Sequence, residues 1–304
     1  MRKTCATLLF VLGTSACSGA SSPERLVATL QEALAKGDVD AVLACASLEG
    51  APAMAVFMLA DLPNDCDDGT VCTVANKPLD AEWKAENART MAEQGAVWSV
   101  EPEGLVAISA KEEGGSMDLS LPYAKVDGQY RIVIGTLAPE KRAELEATTP
   151  RAAAEHTLEL GIYDDAAGER DLSWKTTAAA LPADGGEAGA AFLAKVAAMA
   201  AAIKANDPDA AAATGEWAAR VFGAKDYDGT AIPLEVRKRK LRAQATRQLV
   251  EARVLGGWRK GDTVVLVIEG TNGVGNTVRG ASLWQLADGK WQDQGQDVIE
   301  IPKA

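Results

Sequence analysis

Histidine is nearly absent: the 304 residues hold one, His156. Paired-imidazole zinc sites are thereby excluded, and a Ser-His-Asp triad would have a single position from which to draw its base. His156 falls in a charged, helix-like segment and reads as a solvated residue. The glycine-rich phosphate motifs are missing too. There is no P-loop, no G-x-S-x-G elbow and no G-x-G-x-x-G; GTNGVGNT at 270–277 fails the spacing and reads as a hairpin turn. Past the N-terminus, no apolar run is long enough to span a bilayer as a helix. Positive charge is short as well, with 31 Lys and Arg against 43 Asp and Glu and a net charge of −12. Such a chain is a poor match for nucleic acid, whose phosphates demand basic surface. No catalytic, cofactor-binding or metal-ligating residue is assigned, and no cofactor is expected.

What is present begins at the N-terminus. Arg2 and Lys3 precede an apolar stretch from Cys5 to Leu12, and small residues lead on to Cys17. The stretch is too short for a stable transmembrane helix but suits a secretory signal. The segment TSAC at 14–17 resembles the bacterial lipobox, although Thr14 stands where an aliphatic residue is usual. The resemblance implies a signal peptide over 1–16, a lipidated Cys17 and a flexible tether over 17–22, placing the chain on the envelope membrane. Ser18, not an acid, follows the cysteine, which in that family points to the outer membrane, facing the periplasm. Ordinary cleavage after Ala16 or Ala20, giving a soluble exported protein, is the alternative. Losing Arg2 and Lys3 would take the charge from −12 to −14.

The remaining length suggests two domains, and their plans look alike. LVATLQEALAKGDVDAVLA at 26–44 and LAKVAAMAAAIKANDPDAAAA at 193–213 each read as a helix, a break and a second helix. Asp38 and Asp207 stand as the equivalent N-caps. Pro78-Leu79-Asp80 and Pro233-Leu234-Glu235 each open a further helix. β-rich runs separated by Gly-containing turns follow both, the signature of antiparallel hairpins. Asp127-Gly128 and Asp288-Gly289 mark the last hairpin of each.

SPERLVATLQEALAKGDVDAVLA and the terminal DGKW resemble the nuclear transport factor 2-like fold, a cone of helices on a curved antiparallel sheet. The expected class is therefore α+β, with two tandem cone-like domains of about three helices each. Domain 1 is placed at 23–140, a helical linker at 141–190 and domain 2 at 191–304. Two generic α+β domains without a cone fit the same periodicities.

Enzymes of this fold use a carboxylate and a phenol buried in the cone. Asp118 and Tyr123 share one predicted strand but differ by five positions, which sends their side chains to opposite faces. RKRKLR at 237–242 is the one dense basic run, and its charges spread around a helix, which favours a solvated role over an anion site. Trp98, Trp258, Trp284 and Trp291 fall on predicted strands, where core packing is the commoner use.

NDCDDGTVC at 64–72 fails as a calcium loop, since its third position is Cys66 and its twelfth Ala75. It also lacks the ligands of a zinc knuckle and exceeds the C-x-x-C redox spacing. Export favours oxidation, so Cys66 and Cys72 are the candidate disulfide, with Cys45 leaving other pairings open. The loop reads as an acidic insertion confined to one domain, a place to look for a partner. Function is expected to be non-catalytic: a lipid-anchored envelope protein binding a small apolar ligand or a protein partner through its cones. The alternatives are an isomerase- or hydratase-like enzyme with a buried carboxylate, and a structural accessory of an envelope assembly.

Overall fold

The computed structural model describes residues 20–66, 71–112, 115–164 and 168–303. The expected signal peptide and lipidation site, Cys17, and Asp67 and Asp68 of the acidic loop lie outside these. The chain is α+β. Its first half runs α1 (Pro23–Ala35), α2 (Val39–Ala44), β1 (Ala46–Ser47), α3 (Ala53–Asp65), β2 (Val71–Lys77), α4 (Ala81–Glu93), β3 (Ala96–Trp98), β4 (Gly104–Glu112), β5 (Gly115–Val126), β6 (Gln129–Val133) and β7 (Gly135–Leu137). The second runs α5 (Pro139–Ala147), α6 (Pro150–Leu160), β8 (Ile162–Asp164), β9 (Glu169–Asp171), α7 (Trp174–Thr177), β10 (Ala179–Ala180), α8 (Gly186–Ala205), α9 (Pro208–Ala212), α10 (Glu216–Phe222), α11 (Leu234–Ala245), β11 (Leu249–Lys260), β12 (Thr263–Asn272), β13 (Thr277–Ala287) and β14 (Lys290–Ile301).

Helix starts follow local chemistry. Ser22 caps α1, accepting from the Arg25 amide, with Pro23 in the first turn. The two expected helix breaks are near copies. Gly37 and Asn206 take positive φ, the Asp38 and Asp207 amides each reach back to a carbonyl at 2.9 Å, and the two Asp side chains cap α2 and α9. This is a Schellman-type stop followed at once by an N-cap.

Each half has a five-stranded sheet. Their orders are β1-β6-β5-β4-β2 and β10-β11-β12-β13-β14, so the same four-strand antiparallel meander occurs in both. The last hairpin of each turns through Asp127-Gly128 and Asp288-Gly289, all four at positive φ, as a type I′ turn requires.

In the first half, Leu26, Leu30 and Leu34 of α1 join Val106, Ile108, Ala110, Tyr123 and Ile132 in one core. The outer strand β2 is met by α1: Gln31 Nε2 donates to the Cys72 carbonyl at 2.9 Å, and the Val74 amide donates to Gln31 Oε1 at 2.8 Å.

The second sheet is covered on both faces. Phe192 and Val196 of α8 pack on Val264, Leu266, Ile268 and Trp284. On the other side Ala154 and Leu158 of α6, with Trp174, pack on Trp258, Val265, Val267 and Ala281. β12 sends alternate residues into both cores, which is why it reads as a continuous apolar run. The stretch 141–190, expected as a linker, is thus built into the second half. It supplies α6 as a covering layer and β10 as a fifth strand.

The pairing of helices across the halves also needs correction. The helix that leads into each meander is α3 in the first half and α11 in the second. The helix opened by Pro78 is α4, which follows β2 and has no buried residue. The segment from Pro78 to Glu103 is therefore the addition, and NDCDDGTVC is the α3–β2 connection. The two equivalent helices, α3 and α11, pack on each other.

Candidate functional site

The arginines of the basic run find partners on both sides of that junction. Arg237, 5 % exposed, pairs with Asp209 and donates Nε to the Phe222 carbonyl at 2.7 Å. Arg242 pairs with Asp40 of the first half, and Arg239 Nε reaches Asn64 Oδ1 at 3.4 Å. Nearby, the Arg247 guanidinium lies 4.5 Å from the centre of the Phe57 ring. Asp40 and Asp209 occupy matching positions after their caps, so a single helix supplies an arginine to each half. A solvated face is the wrong description of Arg237, Arg239 and Arg242, which act as a clamp, while Lys238 pairs with Glu235 of its own helix.

Cys66 and Cys72 form the disulfide, with a Cα–Cα distance of 5.4 Å. Cys45 is buried in the first core and is not part of the bridge. Asp118 is exposed and accepts from Ser109 Oγ at 2.6 Å, whereas Tyr123 is buried and donates to Asn76 Oδ1 at 3.0 Å. Burial pushes the Tyr123 phenol above its ordinary pKa. The carboxylate and phenol are not brought together, as their odd spacing requires. The His156 side chain is two-thirds exposed on α6.

Trp258 and Trp284 are core residues, buried to 8 % and 3 % exposure. Trp98 has another use. It stacks on Trp83 of α4, with ring centres 6.3 Å apart. The two rings line a groove of about 750 Å³ between α4, β3 and the chain after it. Met91 and Val97 add apolar surface, and Lys84, Asn87 and Glu101 supply polar groups at its walls. Among the described residues β3 pairs on one side only, with β7. The Ala138 amide donates to the Gly95 carbonyl at 2.8 Å, so residues 95 and 97 turn their backbone groups to β7. By antiparallel alternation, Ala96 and Trp98 turn theirs to the open edge. The cavity is unlike a cone interior: it is open, peripheral and built on the addition. Sequence reasoning found α4 but matched it with the helix opened by Pro233. Its apolar positions Trp83 and Met91 mark a weak stripe, and nothing local tells what that stripe faces.

A smaller cavity of about 290 Å³ lies between the halves, walled by Val39, Leu43, Ile203, Asn206 and the Asp40–Arg242 pair. Asp40 and Arg242 satisfy each other, while Lys204, also at its wall, has no ion-pair partner among the described residues.

One cluster with the elements of a nucleophile and base was missed. Ser173 Oγ lies 2.7 Å from Lys260 Nζ. Asp171 sits between them, bonded to Lys260 and to Ser173 Oγ at 2.6 Å. These bonds hold the Asp171 carboxyl down at about 2. It is ionised throughout the physiological range and ion-pairs the Lys260 ammonium, leaving Ser173 without a base. The cluster ties β9 and α7 to β11.

Among the described residues, no group of three or more His, Cys, Asp or Glu side chains could hold a metal ion. No protein-family model matches the chain, and neither a curated protein nor a solved structure matches it.

Proposed function

We propose that this chain is a lipid-anchored bacterial envelope protein that binds a protein partner and catalyses no reaction. Cys17 is the attachment point, and the outer membrane facing the periplasm is its place. The two halves are taken as tandem cone-like domains of the nuclear transport factor 2-like kind. Their shared meander order, matched helix breaks and matched last turns support that relationship. Both interiors are occupied by their own side chains, with Tyr123 and Tyr130 edge to face in one and Phe192 and Trp284 in the other. Binding is therefore assigned to the α4–β3 groove and not to the cones.

The observation that carries this reading is α4 itself. A helix of 13 residues with none buried contributes little to folding, yet it holds a stacked tryptophan pair over an apolar groove. The open edge of β3 offers backbone groups to an extended segment of a partner, while Trp83, Met91 and Val97 offer apolar contact. Two experiments test the proposal. Membrane fractionation should find the protein with the envelope and Cys17→Ala in the soluble fraction; an unchanged distribution overturns the anchor. Proteins that co-purify from the native envelope should be identified, then titrated against the purified chain. Trp83→Ala with Trp98→Ala should weaken that binding at least tenfold, since buried aromatic anchors dominate such interfaces. Equal binding by the double variant overturns the groove assignment.

A further inference from the structure

The 20-residue helix α8 breaks the usual pattern of a surface helix. Its sequence, GEAGAAFLAKVAAMAAAIKA, is apolar on every side, and a helix of that kind is ordinarily enclosed. Here 28 % of its most apolar window is buried. One face, with Ala188, Phe192, Val196, Met199 and Ala202, is fixed in the cores of the second half. The opposite face exposes Ala190, Leu193, Ala194, Ala197, Ala198 and Ala201. At 100° per residue these six lie within an arc of roughly 140°. The mid-helix charge, Lys195, is drawn off this face to pair with Asp293 on β14.

Two further residues fall inside the same arc. Glu187 stands at its N-terminal end and Lys204 at its C-terminal end, where it borders the cavity beside Asp40 and Arg242; both are exposed, and among the described residues neither is in an ion pair. They bracket the apolar strip with opposite charges. That arrangement is complementary to itself when turned end for end.

We propose that α8 docks antiparallel on α8 of a second copy of this chain. The two-fold axis passes between Ala194 and Ala197, and each Glu187 meets the other copy's Lys204. A parallel pairing would set Glu187 against Glu187 and Lys204 against Lys204. The antiparallel one also opposes the two helix dipoles. Alanine at the contact lets the axes approach to the short end of the normal 8–10 Å range, about 8 Å, so that backbone packs on backbone. The strip is ~26 Å from Glu187 to Lys204, at 1.5 Å per residue.

Two other occupants fit less well. Contrary to the expectation from sequence, α8 is long and apolar enough to cross a membrane by composition, but its buried face cannot leave the sheet. A helix lying on a bilayer carries large apolar side chains and a basic polar face, whereas this strip has one Leu among alanines. An unrelated helix would not account for end charges that complement each other.

One helix pair makes a small interface, so the dimer is expected to be weak, with a dissociation constant on the order of micromolar or above. Tethering to one membrane, if the proposed anchor is present, would favour it by raising local concentration.

Sedimentation equilibrium of the purified full chain over a wide concentration range tests this, with circular dichroism showing that each variant is folded. Wild type should show a monomer–dimer equilibrium, and Ala197→Glu should be monomeric. Glu187→Lys should weaken the dimer about tenfold by facing two lysines. Adding Lys204→Glu to Glu187→Lys should restore it. Purely monomeric wild type overturns the proposal, as does a dimer indifferent to Ala197→Glu. A dimer weakened by Glu187→Lys but not restored by the double exchange overturns the antiparallel register.

Discussion

Glu300 caps a helix that begins 247 residues before it: its Oε1 accepts the Ala53 amide at 2.7 Å. Pro52, in the N-cap position of α3, has no side chain able to do this. Asn276, 2 % exposed, completes the arrangement by donating Nδ2 to both Glu300 and the Ala51 carbonyl and accepting the Lys303 amide at 2.8 Å. The start of α3 is thus made by the end of the chain. Glu300→Ala should destabilise the fold by ~1–2 kcal/mol, the scale of a lost helix cap. Glu300→Gln should lose less, because an amide oxygen still accepts. Urea unfolding of the three proteins checks the order, and a wild-type midpoint for Glu300→Ala would remove the cap from the account.

The clamp on α11 makes unequal demands on its arginines. Arg237→Met should cost ~1–3 kcal/mol, because it strands the Phe222 carbonyl while Asp209, largely exposed, recovers solvent. The Arg242–Asp40 pair is exposed on both sides, and Arg242→Ala should cost under ~1 kcal/mol. Chemical denaturation measures both. Neither variant should alter binding to anionic vesicles; a loss there would restore the anion-site reading.

The disulfide closes a short loop, Cys66 and Cys72 being 6 positions apart. Reduction, or Cys66→Ser with Cys72→Ser, should lower stability by roughly 2 kcal/mol on the chain-entropy account. Non-reducing peptide mapping should recover the Cys66–Cys72 pair and leave Cys45 outside it. A bridge to Cys45 would contradict the observed pairing.

Asp171 has a folded pKa of about 2 against an ordinary 3.8, through its bonds to Lys260 and Ser173. A depressed carboxyl contributes stability that is fully present above the unfolded value and lost as pH falls through the folded one. The tie between β9 and β11 should therefore persist to pH 4 and loosen towards pH 2. Carboxyl-carbon NMR titration should place the Asp171 midpoint near 2 and move it upward in Lys260→Met. A wild-type midpoint at 3.8 would deny the tie.

These features explain what could be read in advance. Ser22, Asp38 and Asp207 act on amides within three residues, so the helix starts they make were legible. The same holds for Asp127-Gly128 and Asp288-Gly289, whose turn chemistry is local. α3 was invisible because its cap is Glu300, far along the chain, and because Pro63 sits inside it and reads as a break. The matching starts at Pro78 and Pro233 misled for a related reason. A start signal says where a helix begins and nothing of what it will touch, and α4 stays exposed while Leu241 of α11 is fully buried. The arginines read as solvated because their charges encircle the helix; partners from both halves encircle it too.

A last consequence concerns the outer strand of the first sheet. An open strand edge is an invitation to any chain able to extend beside it. At β2 the place of the next strand is taken by one carboxamide, Gln31, which presents a donor and an acceptor as a peptide unit would. The amide is carried on a helix, which cannot propagate the ladder. Where it sits, Gln31 answers the Cys72 carbonyl and the Val74 amide and offers no strand onward.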